Sequence, residues 1–415
     1  MGEITYAEAQ VDISEAIAMG LDAFALNVQS SDDWVNQAIT NLFEIADAKG
    51  FKLFLSFDMS YFQNPADFFD LLESCYSNSA YYKYNGLPFV STFYGGTLNF
   101  GYPTVNDGWQ ALYRDALDAK GMPTYFVPSF EMSTDTSSLA TLGNFWDSYS
   151  MADGQFNWDG SWPYVSQGMV NVSCTDDDVW IAEAAKNTKT YMMGLSSLQF
   201  KHLDSDNNWF RRGGLSLALR ITQILNSQPD FVEIQTWNDG GESHYIGNVW
   251  PDMISTTDIG SYITGYNHTG WQNVLGPFST AYKNGAKTAA DVVPINGKTT
   301  QGVFWHATLL VGATCSSDPL GQPTGYELMA DVIEVALTVA KGATASVKVY
   351  SGGNLLATKK AIEGLNAWEV PGMTAGDVRV VVEDGNGNVL SDETGAISVL
   401  SDASLCNYNP QVVAL

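Results

Sequence analysis

Residues 51–58 read Phe51-Lys-Leu-Phe-Leu-Ser-Phe-Asp58, an apolar run that closes on a carboxylate. It is the length of a buried strand and too short for a core helix. Before it, Ser31-Asp32-Asp33 caps a helical pattern with apolar Val35, Ile39, Leu42, Phe43 and Ala46, ended by Gly50. After it, Asn64-Pro65 opens another helix, with proline in the first turn. A buried strand between two helices predicts a βαβ unit and a parallel sheet.

The alternation continues outward. Thr5-Tyr-Ala-Glu8 is a capping box that opens an Ala-rich helix stopping near Gly20. Further helices are expected from Asp107 to Gly121, from Thr175-Asp-Asp-Asp178 and over Leu215 to Leu225. Strands are expected at 21–27, 51–58, 87–94, 124–131, 155–158, 190–196 and 230–237. The expected fold is therefore α/β, a (β/α)₈ TIM-type barrel. The chain supplies seven of its eight strands. Either a first strand lies before Met1, or Gly302-Val-Phe-Trp-His-Ala-Thr308 closes the barrel.

Past about residue 300 strand signals follow one another without helices. They cover Val332 to Val339, Ala345 to Tyr350, Leu355 to Ala361, Asp377 to Val382 and Ala396 to Leu400. Turn clusters such as Ser351-Gly-Gly-Asn354 separate them. This pattern predicts a C-terminal all-β sandwich, with a barrel domain at 1–298 and the sandwich at 299–415. Cys315 and Cys406 flank that region, either as a disulfide or as two buried thiols.

Composition narrows the function. Lys plus Arg number 19 and Asp plus Glu 46, giving a net charge of −27. Such a chain would be repelled by a phosphate backbone or an anionic membrane surface, so neither nucleic acid nor membrane is expected as a partner. Only 16% of residues are charged and 45% are hydrophobic, which excludes charge-driven disorder. No run is long and apolar enough to span a bilayer. The opening Met1-Gly-Glu-Ile-Thr5 carries neither a basic nor an apolar leader region, so no signal peptide is read here.

In a barrel, reactive groups sit just past the C-terminal ends of strands. The residues there are Asn27, Asp58, Tyr94, Glu131, Asp159, Ser196-Ser197 and the run Trp237-Asn-Asp-Gly-Gly-Glu-Ser-His-Tyr245. Carboxylates dominate, with Asp239 and Glu242 in one run, while His and Cys are nearly absent. A zinc site is hard to build from this set, and neither a metal nor a cofactor is expected. No G-x-S-x-G elbow, P-loop or dinucleotide fingerprint occurs. What remains is carboxylate chemistry beside aromatics, as glycoside hydrolysis requires. Trp158, Trp162, Trp209 and Trp237 could stack on sugar faces. Each residue also has a plainer reading. Asp58 could only cap the next helix, the tryptophans could be core, and His244 could be a core hydrogen-bonding group.

The run Thr236-Trp-Asn-Asp-Gly-Gly-Glu-Ser-His-Tyr-Ile246 resembles the T-W-N-D-x-G-E-S-H-Y motif of fungal α-1,3-glucanases (mutanases), glycoside hydrolase family 71. Gly20-Leu-Asp-Ala-Phe-Ala-Leu-Asn27, Phe51 to Met59, Val90-Ser-Thr-Phe93, Tyr191-Met-Met193 and Pro229-Asp-Phe-Val-Glu-Ile234 are similar to other family segments. The likeness covers most of residues 5–310. It implies an inverting endo-hydrolase of α-1,3-glucan on a (β/α)₈ barrel with an attached β-sandwich. The family's catalytic carboxylates match Asp239 and Glu242, and a third important one matches Asp58. The implied roles are Glu242 as general acid, Asp239 as general base, and Asp58 positioning sugar or water, the first two being exchangeable. An inverting pair should stand roughly 6.5–9.5 Å apart. Asn27, Tyr94, Glu131, Trp158, Asp159, Trp237, Asn238, His244 and Tyr245 are the expected substrate-binding set.

The resemblance also places the missing first strand before the first helix, with Met1-Gly2 as its tail. Three departures stand out. Gly240 replaces an aromatic, Gly213-Gly214 stand where acidic residues are usual, and Leu219-Arg220 replaces a more aromatic stretch. Two competing expectations follow, a non-catalytic α-glucan-binding protein on a degenerate barrel and a glycosidase of another glucan linkage. A secreted or cell-wall-associated monomer is expected in either case.

Overall fold

The computed structural model describes residues 4–130, 144–163, 168–255 and 257–415. The expected capping box forms. Thr5 N donates to the Glu8 carboxylate at 2.8 Å and Glu8 N donates to Thr5 Oγ1, opening the helix Tyr6–Ala18. Asn64 accepts from Ala66 N at 2.9 Å and starts the turn Pro65–Phe68. The helix expected at Asp107 begins at Val105, because Thr104 takes the cap and accepts from Asp107 N at 3.1 Å.

Among the described residues the strands of the first part are β1 (Ala23–Val28), β2 (Lys52–Asp58), β3 (Lys83–Tyr84), β4 (Leu87–Phe93), β5 (Tyr125–Ser129), β6 (Gly154–Asn157), β7 (Thr190–Leu195), β8 (Gln199–His202), β9 (Asn208–Arg211) and β10 (Phe231–Ile234). β1, β2, β4 and β5 pair in parallel in that order, with β3 antiparallel on β4. β10, β7 and β6 form a separate parallel group. β8 and β9 make an antiparallel hairpin of their own.

This overturns the expected (β/α)₈ barrel. The strand positions are as expected, but no ladder joins β5 to β6 or β10 to β1 among the described residues. The physical reason is visible at the first gap. Asp153 N donates to Phe126 O at 2.8 Å, and the Asp153 carboxylate then accepts Phe126 N at 2.9 Å, so a side chain takes the donor that would extend the ladder. At the second gap, side chains bridge. Trp237 packs on Phe24 at 4.9 Å. Asp12 accepts from Asn248 Nδ2 at 2.9 Å and from Trp250 Nε1 at 3.0 Å.

The C-terminal strands are β11 (Thr300–Ala307), β12 (Leu309–Thr314), β13 (Val332–Ser351), β14 (Asn354–Pro371), β15 (Val378–Asp384), β16 (Val389–Thr394), β17 (Leu400–Asp402) and β18 (Pro410–Ala414). They too correct the expectation. The segment Gly302 to Thr308 does not close a barrel, since β11 pairs antiparallel with β13 and β18. In place of the expected sandwich there is a six-stranded antiparallel, barrel-like sheet in the order β16-β15-β13-β11-β18, with β14 also on β13, and a separate parallel pair of β12 and β17. Two expected strands fuse into β13 because Gly342 sits at a register shift between Val339 and Thr344, not at a turn.

The two parts share buried contacts. Trp271 packs against Trp305 at 6.3 Å, and His268 Nε2 donates to Pro410 O at 3.1 Å. Cys315 and Cys406 are disulfide-bonded, while Cys75 and Cys174 are free.

Candidate active site

The acidic run leaves β10 through a cis peptide bond between Gln235 and Thr236. It then folds back on itself. Thr236 N donates to His244 O at 3.0 Å, and Ile246 N returns to Thr236 O at 3.0 Å. Gly247 N closes the loop on Trp237 O at 2.7 Å. A Cβ at Gly247 would stand 2.3 Å from the Trp237 ring, so only glycine lets the chain pass beneath the indole. Inside the loop, Asp239 N donates to Thr236 Oγ1 at 3.0 Å and Glu242 N to Asp239 Oδ1 at 3.1 Å. The spacing of three thus turns both carboxylates toward one place.

His244 stands behind them. Its Nε2 lies 3.4 Å from Asp239 Oδ2 and 3.9 Å from Glu242 Oε2, and its side chain is 1% exposed. The Asp239 and Glu242 side chains keep 36% and 29% of their surface, so they are partly enclosed by protein yet reached by solvent. Their surroundings split the pair. Burial pushes Asp239 upward, but the imidazole of His244 at 3.4 Å outweighs it and holds this carboxyl below its ordinary range. Burial also pushes Glu242 upward, and there it prevails, reinforced by the Asp239 charge against the opposing pull of His244 and Lys201. The two are thus pulled in opposite directions, Asp239 toward the ionised form and Glu242 toward the protonated one, the kind of division that acid–base catalysis uses.

Asp239, Glu242 and His244 could each offer one atom to a metal ion, and those atoms lie within 4.8 Å of one another. One oxygen of the Asp239 carboxylate thus lies within 4.8 Å of one oxygen of Glu242.

Asp58 ends β2 and is 3% exposed. Its Oδ1 accepts from Ser60 N at 2.9 Å and Ser60 Oγ at 2.6 Å, and its Oδ2 accepts from Gln29 Nε2 at 3.3 Å. Asp58 thus also shapes the turn that follows it, as the plainer reading allowed. Asn27 is exposed at the end of β1. Tyr94 is 37% exposed, at φ 57°, and lies edge-on to Phe93 at 4.2 Å. Trp158 is half-buried against Phe93 at 4.7 Å. Trp237 and Asn238 are also half-buried, Asn238 O accepting Gly240 N at 2.9 Å. Asp159 pairs with Arg211 at 3.3 Å. Glu131 lies outside the described residues.

Tyr245 is not available to a ligand. It is 2% exposed, stacks on His268 at 4.0 Å and donates to Tyr266 O at 2.7 Å. Trp162 is likewise buried, 5.4 Å from the His244 ring.

Sequence reasoning missed Gln199 and Lys201. Gln199 Nε2 donates to Glu242 Oε2 at 2.7 Å, and Lys201 Nζ lies 3.6 Å from Glu242 Oε1. Their signal was the period-two spacing of 199 and 201 directly after a strand end. Two of the sequence departures also have a structural account. A Cβ at Gly213 would stand 2.6 Å from Ser197 O. Arg220 is fully buried behind β7, donating to Asp177 at 2.6 and 3.0 Å and to Gly194 O at 2.7 Å.

A solved endo-alpha-mannosidase of family 99 from Bacteroides thetaiotaomicron superposes with a TM-score of 0.52 at 11% identity, over 68% of this chain and 84% of that one. A likeness at that identity concerns the fold alone. Sequence relatives are nearer. A glucan endo-1,3-alpha-glucosidase of Schizosaccharomyces pombe is 32% identical over 411 residues, 98% of this chain and 90% of the relative. An ascus wall endo-1,3-alpha-glucanase of the same yeast is 29% identical, over 96% of this chain and 91% of the relative. A mutanase of Penicillium rubens is 31% identical, over 97% of this chain and 83% of the relative. The sequence profile of glycosyl hydrolase family 71 matches residues 1–415, and with these relatives it shows that the chain is a glycoside hydrolase and belongs to family 71.

Proposed function

We propose that this enzyme hydrolyses α-1,3-glucosidic bonds in α-1,3-glucan, the polymer of mutan and of fungal cell walls. The observation that carries the reading is the split pair. Asp239 and Glu242 share one solvent-open site and are pulled toward opposite protonation states. The names of the relatives, endo-1,3-alpha-glucanases and a mutanase, support the linkage. In this reading Glu242 protonates the departing glycosidic oxygen. Asp239 takes a proton from a water that attacks the anomeric carbon from the opposite face, and the product anomer is inverted. Asp58, itself buried, orients the sugar or the water through Ser60 and Gln29, which it holds. Asn27, Tyr94, Trp158, Asp159, Trp237 and Asn238 contact the glucan.

One observation favours a second reading of the stereochemistry. One oxygen of each carboxylate lies within 4.8 Å of an oxygen of the other, a gap that also suits the roughly 5–5.5 Å spacing of retaining enzymes. With retention, Asp239 would attack the sugar directly. Proton NMR of the first products of a soluble α-1,3-linked gluco-oligosaccharide separates the two. Inversion yields the β anomer first, whereas early α anomer would replace the water-mediated scheme by the covalent one. Parallel incubation with α-1,4- and β-1,3-glucans tests the linkage, and cleavage confined to one of those would refute the α-1,3 assignment. We further propose that the enzyme works as a monomer outside the cell or at its wall, a setting supported by the Cys315–Cys406 disulfide.

A further inference from the structure

Behind Glu242 stands the β8–β9 hairpin, whose two faces have different tasks. Its register pairs Gln199 with Arg211 and Lys201 with Trp209, so these four share one face. That face looks toward Glu242. Besides the contacts of Gln199 and Lys201, Phe200 N donates to Glu242 O at 3.0 Å, and the Arg211 guanidinium lies 5.7 Å from the Trp162 ring and 5.8 Å from that of Trp209.

The opposite face carries Phe200, His202 and Phe210, all buried. It is held by the chain around the disulfide. His202 Nε2 meets Asp318 Oδ2 at 2.8 Å, and that same carboxylate oxygen accepts Cys406 N at 2.7 Å. Phe210 N donates to Thr324 O at 2.8 Å, and Thr324 N to Asn208 O at 3.0 Å. Just past β9, Arg212 is ion-paired with Glu369 of β14.

We infer that this hairpin is the positioning element of the catalytic acid. Gln199 fixes the orientation of the Glu242 carboxyl, Lys201 sets the charge facing it, and the segment from Asp318 to Thr324 braces the hairpin from behind. Gln199 is 4% exposed and keeps the anchor it has on the Glu242 backbone side through Phe200. A short bond from a buried amide leaves the carboxyl little freedom to rotate away from Asp239. Once the proton has passed to the leaving oxygen, the carboxylate left behind still accepts from Gln199 and faces the Lys201 ammonium. The charged or titratable groups that face Glu242 are Asp239 and His244 on its own loop, Lys201 and Arg211 on the hairpin, and Tyr262, whose hydroxyl donates to Gly241 O at 2.7 Å. Lys201 favours the ionised form, so removing its charge lets Glu242 keep its proton to higher pH.

The inference rests on Glu242 being the acid, and the experiment separates the two claims. It measures kcat and KM against pH on a soluble α-1,3-linked gluco-oligosaccharide for Gln199→Leu, Lys201→Met, Lys201→Arg and Glu242→Gln. Gln199→Leu is expected to lower kcat about 10- to 100-fold with little change in KM. Lys201→Met should move the alkaline limb upward by about 0.5–1 pH unit, and Lys201→Arg should restore it. If Glu242→Gln is inactive while kcat for Gln199→Leu and the limb for Lys201→Met match wild type, the positioning role is overturned and the acid assignment stands. An active Glu242→Gln overturns both. Should Gln199→Leu not fold, the Lys201 pair decides alone, an unmoved limb being the adverse result.

Discussion

Asp239 and Glu242 are three positions apart on one loop, but His244 touches Asp239 at 3.4 Å and Glu242 only at 3.9 Å. That difference, with the Asp239 charge acting on Glu242, separates their ionisation. The sign of the pH dependence follows. With Asp239 as the proposed base, activity falls on the acid side as it gains its proton. With Glu242 as the proposed acid, activity falls on the alkaline side as it loses its own. His244→Gln removes what holds Asp239 down, and the acid limb of kcat/KM should then move upward by about 0.5–1 pH unit. A limb that stays in place, read from a pH series on the oligosaccharide, would remove His244 from the account. The pair itself was legible in the sequence because both carboxylates belong to one local run. Tyr245 belongs to the same run and was misjudged. Its side chain turns the other way, into the stack with His268. For Gln199 the spacing after a strand end was a signal, but its meeting with Glu242 across 43 positions was not legible.

At the scale of elements, hydrophobic runs and caps were sufficient to locate the seven parallel strands, because burial and helix punctuation are local properties. Which strands share a ladder was not legible. That depends on single side chains such as Asp153, which takes the Phe126 donor at the first gap. The same limit hid β13, where two separate strand signals join across a bulge-like register shift between Val339 and Thr344. β7 shows how firmly one element can be held. Arg220 and Asp177 form a fully buried pair behind it, and Tyr191 of β7 donates its hydroxyl to Asp177 at 2.6 Å. Replacing Arg220 by Met leaves the Asp177 carboxylate buried and unpaired, which should cost about 3–5 kcal/mol in a denaturant titration. A loss under about 1 kcal/mol would mean that water or a neighbour takes over the guanidinium's role.

For the whole molecule, the net charge of −27 is mostly solvated surface, but some carboxylates are not. Glu334 on β13 lies opposite Glu369 of β14 and is 7% exposed. Burial, with the Glu369 charge, pushes Glu334 up to about 8, against the pull of Arg212. A folded value above the unfolded one means that stability is full below the ordinary glutamate range and is lost as pH rises toward about 8. Glu334→Gln, which needs no ionisation, should therefore raise stability at pH 7 by about 1–3 kcal/mol and leave it unchanged at pH 4. Equal thermal midpoints for variant and wild type across that range would show that Glu334 reaches solvent. The central claim concerns the Asp239–Glu242 pair. Its most direct test is reducing-end release from insoluble α-1,3-glucan by wild type, Asp239→Asn and Glu242→Gln side by side, with folding checked by circular dichroism. The account predicts release by wild type and a loss of at least about 1000-fold in each variant with the fold intact. No release by wild type where a family relative succeeds, or undiminished release by both folded variants, would contradict it.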